Sequence, residues 1–237
     1  MKKFTLIYLF LYLCATTSAE KTEVRFISQT PKEASEVPLL FERHQIEYHT
    51  LSHTNWKKKF PYTPLAQFAI AYTPDALLIA YKATEKGFIV QYTKDQDPVF
   101  LDACMEFFVQ PENDSIYYNF ECNCLGYLLM QAGTTLRPRH QAPEHILNSI
   151  KRWTSIEKKQ PAYAEEATSW EVALIIPYTC FYKHSINSLG GKTVRANVYK
   201  CGGKGQYEHY VSWSPIHTPR PNFHTPAFFG SMTFIVP

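Results

Sequence analysis

Glycine and charge are both scarce here. The chain has nine glycines in 237 residues, and charged residues make up 19% of it against 45% hydrophobic. A chain this apolar and this sparsely charged does not stay disordered, and its length is enough for one domain, or at most two, with a real core. No segment repeats at a period of ~20–50 residues, which excludes solenoids and propellers. After residue 15 no apolar run approaches the ~20 residues needed to cross a bilayer. No paired C-x-x-C spacing offers a zinc site, and no Ser-His-Asp or Cys-His arrangement has a local signature. Gly190-Gly191-Lys192 does not carry its glycines and hydroxyl in the frame of a phosphate loop.

What is there is aromatic. Sixteen Tyr, sixteen Phe and four Trp, with sixteen prolines, suit strands and Pro-bearing loops better than helical bundles. The first nineteen residues read as an export signal: basic Lys2 and Lys3, an apolar run from Phe4 to Ala15, and small residues Thr17-Ser18-Ala19 before a cleavage point. Cys14 invites a lipid anchor, but Tyr12 and Leu13 precede it where small residues belong, so the mature chain is expected to begin, unacylated, at Glu20 or Lys21. The destination is then the periplasm, the cell surface or the exterior. Removing Lys2 and Lys3 leaves 22 basic against 21 acidic residues. That balance does not build the concentrated basic surface nucleic acids require, and Lys57-Lys58-Lys59 and Arg137-Pro138-Arg139-His140 read as solvated faces or loops. Five cysteines remain, Cys104, Cys122, Cys124, Cys180 and Cys201. They read as small buried thiols rather than a disulfide framework, which a chain of this length does not need.

Alternation of apolar residues predicts about nine short strands. Residues 66–73 and 77–81 flank a Pro74-Asp75 turn, and 104–110 pairs with 116–123 through a turn at Asn113-Asp114. Further strands are expected at 127–131, 170–176, 194–200, 209–213 and 232–236. Helical spacing is confined to Pro143–Arg152, with one or two turns expected between Pro177 and His184. The pattern predicts an all-β, antiparallel β-sandwich with short helical inserts, a barrel of similar strand number being the competing architecture. Glu106 falls on the face opposite Met105, Phe107 and Val109, while Glu121 and Asn123 alternate with Phe120 and Cys122. In a paired hairpin the three polar residues share a face, either as a binding cluster or as an internal polar ladder. Trp56, Phe100, Trp153 and Phe223 lie in segments without alternation, beside hydrogen-bonding side chains. That setting suits the apolar face of a sugar ring, and it also suits plugs for the ends of a sandwich.

Several motifs then occur in order. Val99-Phe-Leu-Asp-Ala-Cys-Met-Glu-Phe-Phe108 resembles the W-x-D-S-x-x-E-F-F core of the family 9 carbohydrate-binding modules, closest to their secreted bacterial branch. Asn55-Trp56 with Phe60-Pro-Tyr-Thr-Pro64, Tyr117-Tyr-Asn-Phe-Glu-Cys-Asn-Cys124 with Gly126, and Ala196-Asn-Val-Tyr-Lys-Cys-Gly202 are similar to further segments of that branch. So are Ser212-Trp-Ser-Pro-Ile216, Pro221-Asn-Phe-His-Thr-Pro226 and Phe229-Gly230. The resemblance runs from about Asn55 to the C-terminus, dividing the chain into a signal (1–19), a lead-in (20–54) and a binding domain (55–237). It implies an immunoglobulin-like sandwich, a non-catalytic sugar-binding role and, in many members, structural calcium. Founding members grip the sugar between two tryptophans and read its hydroxyls with charged side chains. By motif those positions fall on Phe100 and near Phe223, on Glu106, at or near Glu121, and on Asn123. Phe for Trp weakens stacking, and Glu121 in place of a cation changes the partner offered to a hydroxyl. Trp213 reads either as core or as the floor of the pocket.

Three functions compete at this level. The first is a secreted carbohydrate-binding protein for an oligo- or polysaccharide, supporting extracellular carbohydrate catabolism beside other glycan-processing proteins. The second is a glycoside-processing enzyme using Glu106 and Glu121 as its two carboxylates. The third is a haem or redox module, for which no His or Met spacing speaks.

Overall fold

The computed structural model describes residues 18–157 and 162–236. The expected export signal falls almost wholly on residues 1–17, outside the described residues. The strands are β1 (Lys21–Phe26), β2 (His49–Thr50), β3 (His53–Thr54), β4 (Leu65–Tyr72), β5 (Ala76–Glu85), β6 (Phe88–Val90), β7 (Cys104–Gln110), β8 (Tyr117–Asn123), β9 (Leu128–Gly133), β10 (His140–Gln141), β11 (Lys151–Thr154), β12 (Ala162–Ala164), β13 (Thr168–Pro177), β14 (Thr193–Gly202), β15 (His209–Ser212) and β16 (Gly230–Phe234). Two short helices, α1 (Val37–Arg43) and α2 (Glu144–Ser149), interrupt them.

The two expected hairpins form where the alternation placed them. β4 and β5 pair antiparallel with Tyr72 opposite Leu77, and the backbone N–H of Thr73 donates to Ala76 O at 2.9 Å. β7 and β8 pair with Glu106 opposite Glu121 and Met105 opposite Cys122. Asp114 shapes the intervening turn by accepting from Ile116 N at 2.8 Å. The helix expected over 143–152 is shorter than its periodicity. Pro143 stands at its N-cap, Ile150 is extended, and residues 151–154 pair with β13 instead of continuing the helix.

Two sheets face each other. One runs β10-β9-β8-β7-β14-β16, with β15 and β3 added at β14. The other runs β4-β5-β13-β11, with β2 on β4. β1 joins them: Lys21–Val24 pair with β16, and Arg25 and Phe26 pair with β4. Both pairings are parallel, the departure from an otherwise antiparallel sandwich. Between the sheets lie Phe68, Ile70, Leu77, Ile79 and Tyr81 against Met105, Phe107, Phe120, Val198 and Met232. The outer faces are also covered. Val37 and Phe41 of α1 pack on Ala69, Leu78 and Ala173 of the second sheet. The C-terminal segment 213–229 packs on the first, where Ile216, Phe223 and Phe229 cluster with Phe108, Tyr117 and Tyr199. Covered on both faces, β7 and β8 are buried along their whole length.

Candidate functional site

The covered outer face of the first sheet carries Cys104, Glu106 and Phe108 of β7, and beside them Tyr117, Asn119, Glu121 and Asn123 of β8 and Tyr199 and Cys201 of β14, as a period of two requires. Two buried asparagines moor the C-terminal cover. Asn197 Nδ2 donates to Ser214 O (2.9 Å) and its Oδ1 accepts from Ser214 N (2.8 Å). Asn55 Nδ2 donates to Ser212 Oγ (2.8 Å), and its Oδ1 accepts from Ile216 N (3.0 Å). The moored segment sets Phe223 flat on Tyr199, ring centroids 4.2 Å apart and planes 5° apart. Trp56 packs tilted beside Phe223 (ring centroids 6.2 Å apart) and edge-on to Tyr210 (6.1 Å), and donates its Nε1–H to Thr218 O at 2.6 Å.

Between this cover and the sheet opens a cavity of about 340 Å³, lined by residues of β7, β8, β9, β14 and β15 and of the loops around Phe100, Arg137 and Phe223. Its rim carries Phe100, 42% exposed, and Leu101, 49% exposed, together with the exposed Arg137 and Asn222, while the carboxyl groups of Glu106 and Glu121 lie buried at its floor. Burial pushes the Glu106 carboxyl well above the carboxylate range. Cys201 adds to the push and Lys200 opposes it. Burial does the same to Glu121, with Glu106 adding and Asn119 and Arg139 opposing. Cys201 Sγ donates to Glu106 Oε1 at 3.0 Å, and Asn119 Nδ2 donates to Glu121 Oε1 at 2.8 Å. Among the described residues Glu121 Oε2 is buried without a hydrogen-bond partner. A buried polar atom left in this state costs on the order of 1–3 kcal/mol, and a ligand hydroxyl would satisfy it. His224 lines the wall, its Nδ1 3.0 Å from the Tyr117 hydroxyl. Burial, with Arg139 and Arg137 second, pushes its pKa down to about 3, so the ring is neutral at ordinary pH.

Four of the six residues singled out in the sequence, Phe100, Glu106, Glu121 and Phe223, meet at this one cavity. Asn123 does not line it. Its amide donates to Asp102 Oδ2 and Tyr92 O, both at 2.9 Å, and its Oδ1 accepts from the backbone of Leu125 and Tyr127, so its polar atoms hold a turn. Trp213 does not line it either. It points between the sheets, edge-on to Phe68, and a Cβ on Gly230 would come within 2.8 Å of its ring, which explains the glycine there. Of the loop aromatics, Trp56 is a buttress, and Trp153 lies on β11 beside the cluster that α1 forms on the outer face of the second sheet. Sequence reading missed Gln131, Arg137, Tyr210 and His224 as wall residues. Gln131 had a signal: opposite Asn119 in the next hairpin, it continues the polar face that Glu121 occupies.

The structural calcium implied by the resemblance needs six to eight oxygen donors. Among the described residues, one group of His, Cys, Asp or Glu side chains converges within ligand range: Cys104, Glu106 and Cys201, with donor atoms within 4.8 Å of one another. Two of its three donors are thiols, so this set does not fit calcium.

The chain is similar over 92% of its length, at 42% identity and TM-score 0.87, to the whole of a candidate carbohydrate-binding protein of Bacteroides uniformis ATCC 8492. Two structures of a family 9 carbohydrate-binding module from Caldicellulosiruptor kristjanssonii, one with cellotriose and one with glucose, share the fold at TM-score 0.59. They are 11% and 10% identical, over 92% of this chain and 95% and 97% of theirs. No curated protein matches. The sequence model of carbohydrate-binding family 9 matches residues 35–234, and with that match and the 42% identical relative, the chain belongs to carbohydrate-binding family 9.

Proposed function

We propose that this is an exported protein that binds a glycan without turning it over, taking one or two sugar rings of an oligo- or polysaccharide into the cavity between Phe100 and Phe223, in support of extracellular carbohydrate breakdown. The observation that carries this reading is the convergence at one site of an exposed Phe100, a Phe223 in the wall and a buried polar floor whose Glu121 Oε2 lacks a partner among the described residues. Ring faces stack on aromatics, and sugar hydroxyls need such acceptors and donors. The volume lies at the small end of ligand pockets, about 300–1,000 Å³, which favours a chain end over a long stretch of chain. A larger groove of about 660 Å³ beside β1 and β16 has no Phe, Tyr or Trp in its lining. Binding is favoured over hydrolysis because a glycosidase pair needs one carboxyl kept protonated and one kept ionised. Here burial pushes Glu106 and Glu121 the same way.

A glycan array, with and without chelator and with cello-oligosaccharides included, followed by calorimetry on the hits, tests the reading. An affinity of roughly micromolar to millimolar is expected, with no product released. Phe100→Ala should weaken binding by about 1–3 kcal/mol with the fold intact. Release of reducing ends would overturn the non-catalytic role, and unchanged affinity in the variant would move the site elsewhere.

A further inference from the structure

We propose that the floor of this cavity is also a site for a thiophilic divalent cation of the zinc class, held by Cys104, Glu106 and Cys201. Cys104 and Cys201 stand directly opposite each other on β7 and β14, and Glu106 follows Cys104 by two residues on the same face. The three donor atoms lie within 4.8 Å of one another, and Cys201 Sγ is 3.0 Å from Glu106 Oε1. In a tetrahedral zinc site a thiolate and a carboxylate oxygen stand about 3.5 Å apart, from bond lengths of about 2.3 and 2.0 Å. The side chains therefore need to part by about half an ångström. All three residues are buried, 0–3% exposed, so solvent does not compete for the donors. Glu106 and Cys201 line the cavity, which leaves the fourth position of the metal facing it. A second observation points the same way. Glu121, the register partner of Glu106, has its buried Oε2 unpartnered, where it would accept a hydrogen bond from a water or hydroxyl on that position. Outer-shell acceptors of this kind orient and tune such sites. Two thiolates select against calcium and magnesium and for zinc and its heavier congeners. On binding, the thiol protons, with the carboxyl proton where Glu106 carries one, pass to solvent, and the metal keeps its oxidation state.

The site does not depend on glycan recognition, and its test needs no sugar. Reduced wild-type protein is titrated with Zn²⁺ or Cd²⁺ alone. One ion per chain is expected, with the ultraviolet thiolate-to-metal band for Cd²⁺ and a zinc X-ray absorption edge showing two sulfur neighbours. Cys104→Ser, which leaves Cys201 as the one thiolate of the site, should diminish the band and weaken binding by more than the roughly 10–100-fold that loss of an outer-shell partner costs, while Cys180→Ser, a buried thiol beside Ser149, leaves both unchanged. An absorption edge with only oxygen and nitrogen neighbours, measured on the wild type and so independent of how any variant folds, would overturn the proposal. So would a band of undiminished intensity in Cys104→Ser, or a Cys104–Cys201 disulfide in the protein as isolated.

Discussion

A single oxygen atom, Glu121 Oε2, concentrates the chemistry of the site. Among the described residues it is buried without a partner, and on the neighbouring strand stands Glu106, a second carboxyl whose pKa burial also pushes up. Glu121→Gln keeps the shape and removes the acid. It should weaken glycan binding by about 1–3 kcal/mol in calorimetry, and equal affinities would show that this oxygen does not face the sugar. His224 supplies a pH signature. Its folded pKa, pushed down to about 3, lies below the ordinary 6.5, so between these values the unfolded chain holds more protons. Stability from this residue is complete above pH ~6.5 and is lost as pH falls towards 3. His224→Asn should flatten the decline in Tm between pH 7 and 4 relative to wild type, and parallel profiles would contradict it. At this scale the sequence was half legible. Strand alternation placed Glu106 and Glu121 on one face, and the motifs pointed to Phe100 and Phe223. It could not show that the face lies under a cover contributed by residues a hundred positions downstream, which turns a polar surface into a buried floor. Asn123 shares that face but sits where the strand ends, and its amide is consumed by Asp102 and the following turn.

Between elements, one polar tie lies inside the sandwich and is wholly buried. Glu85 at the end of β5 accepts from Lys200 Nζ of β14 at 2.9 Å and from Trp170 Nε1 of β13 at 2.8 Å. Lys200 Nζ also stands 3.0 Å from His209 Nε2, and His209 is held neutral by burial and by that lysine. Its Nδ1–H donates to Tyr207 O, which assigns Nε2 as the acceptor from the ammonium. The side chains of Glu85, Lys200 and His209 are fully buried. Glu85→Ala strands a buried cation and should cost about 3–5 kcal/mol, lowering Tm by roughly 2–4 °C per kcal/mol, whereas Glu85→Ala with Lys200→Met should recover most of the loss. A double variant as unstable as the single one would contradict this. The moorings of the C-terminal cover are a separate lever. Asn197→Ala should destabilise by about 1–3 kcal/mol and also weaken glycan binding, because the segment it ties down carries Phe223. Stability lost with affinity intact would mean that Phe223 is placed without the asparagine. Strands were legible because alternation is local. The end of α2 was not, because pairing of Lys151–Thr154 with β13 outweighs a helical spacing that continues through Arg152.

For the whole molecule, β1 is the joint. Its first four residues complete one sheet and its last two the other, and Ile235 N beyond β16 donates back to Val24 O at 3.0 Å. No motif marks Lys21–Phe26, and a short alternating run carries no information about parallel pairing with strands 45 and 210 residues away, so from sequence residues 20–54 are expected to give an edge strand and a lead-in, not a strand shared by both sheets. Deleting residues 20–27 should expose unpaired edges on both sheets and abolish the cooperative thermal transition. A truncated chain that still unfolds in one sharp step would show that the sheets close without it. The central claim is that the sugar sits under the C-terminal cover against the first sheet, and the most direct test is a crystal structure of the protein with the best oligosaccharide from the array. The account predicts a sugar ring between Phe100 and Phe223 with a hydroxyl within hydrogen-bond distance of Glu121 Oε2. A sugar bound elsewhere, such as in the groove beside β1 and β16, with the Phe100 cavity empty, would contradict it.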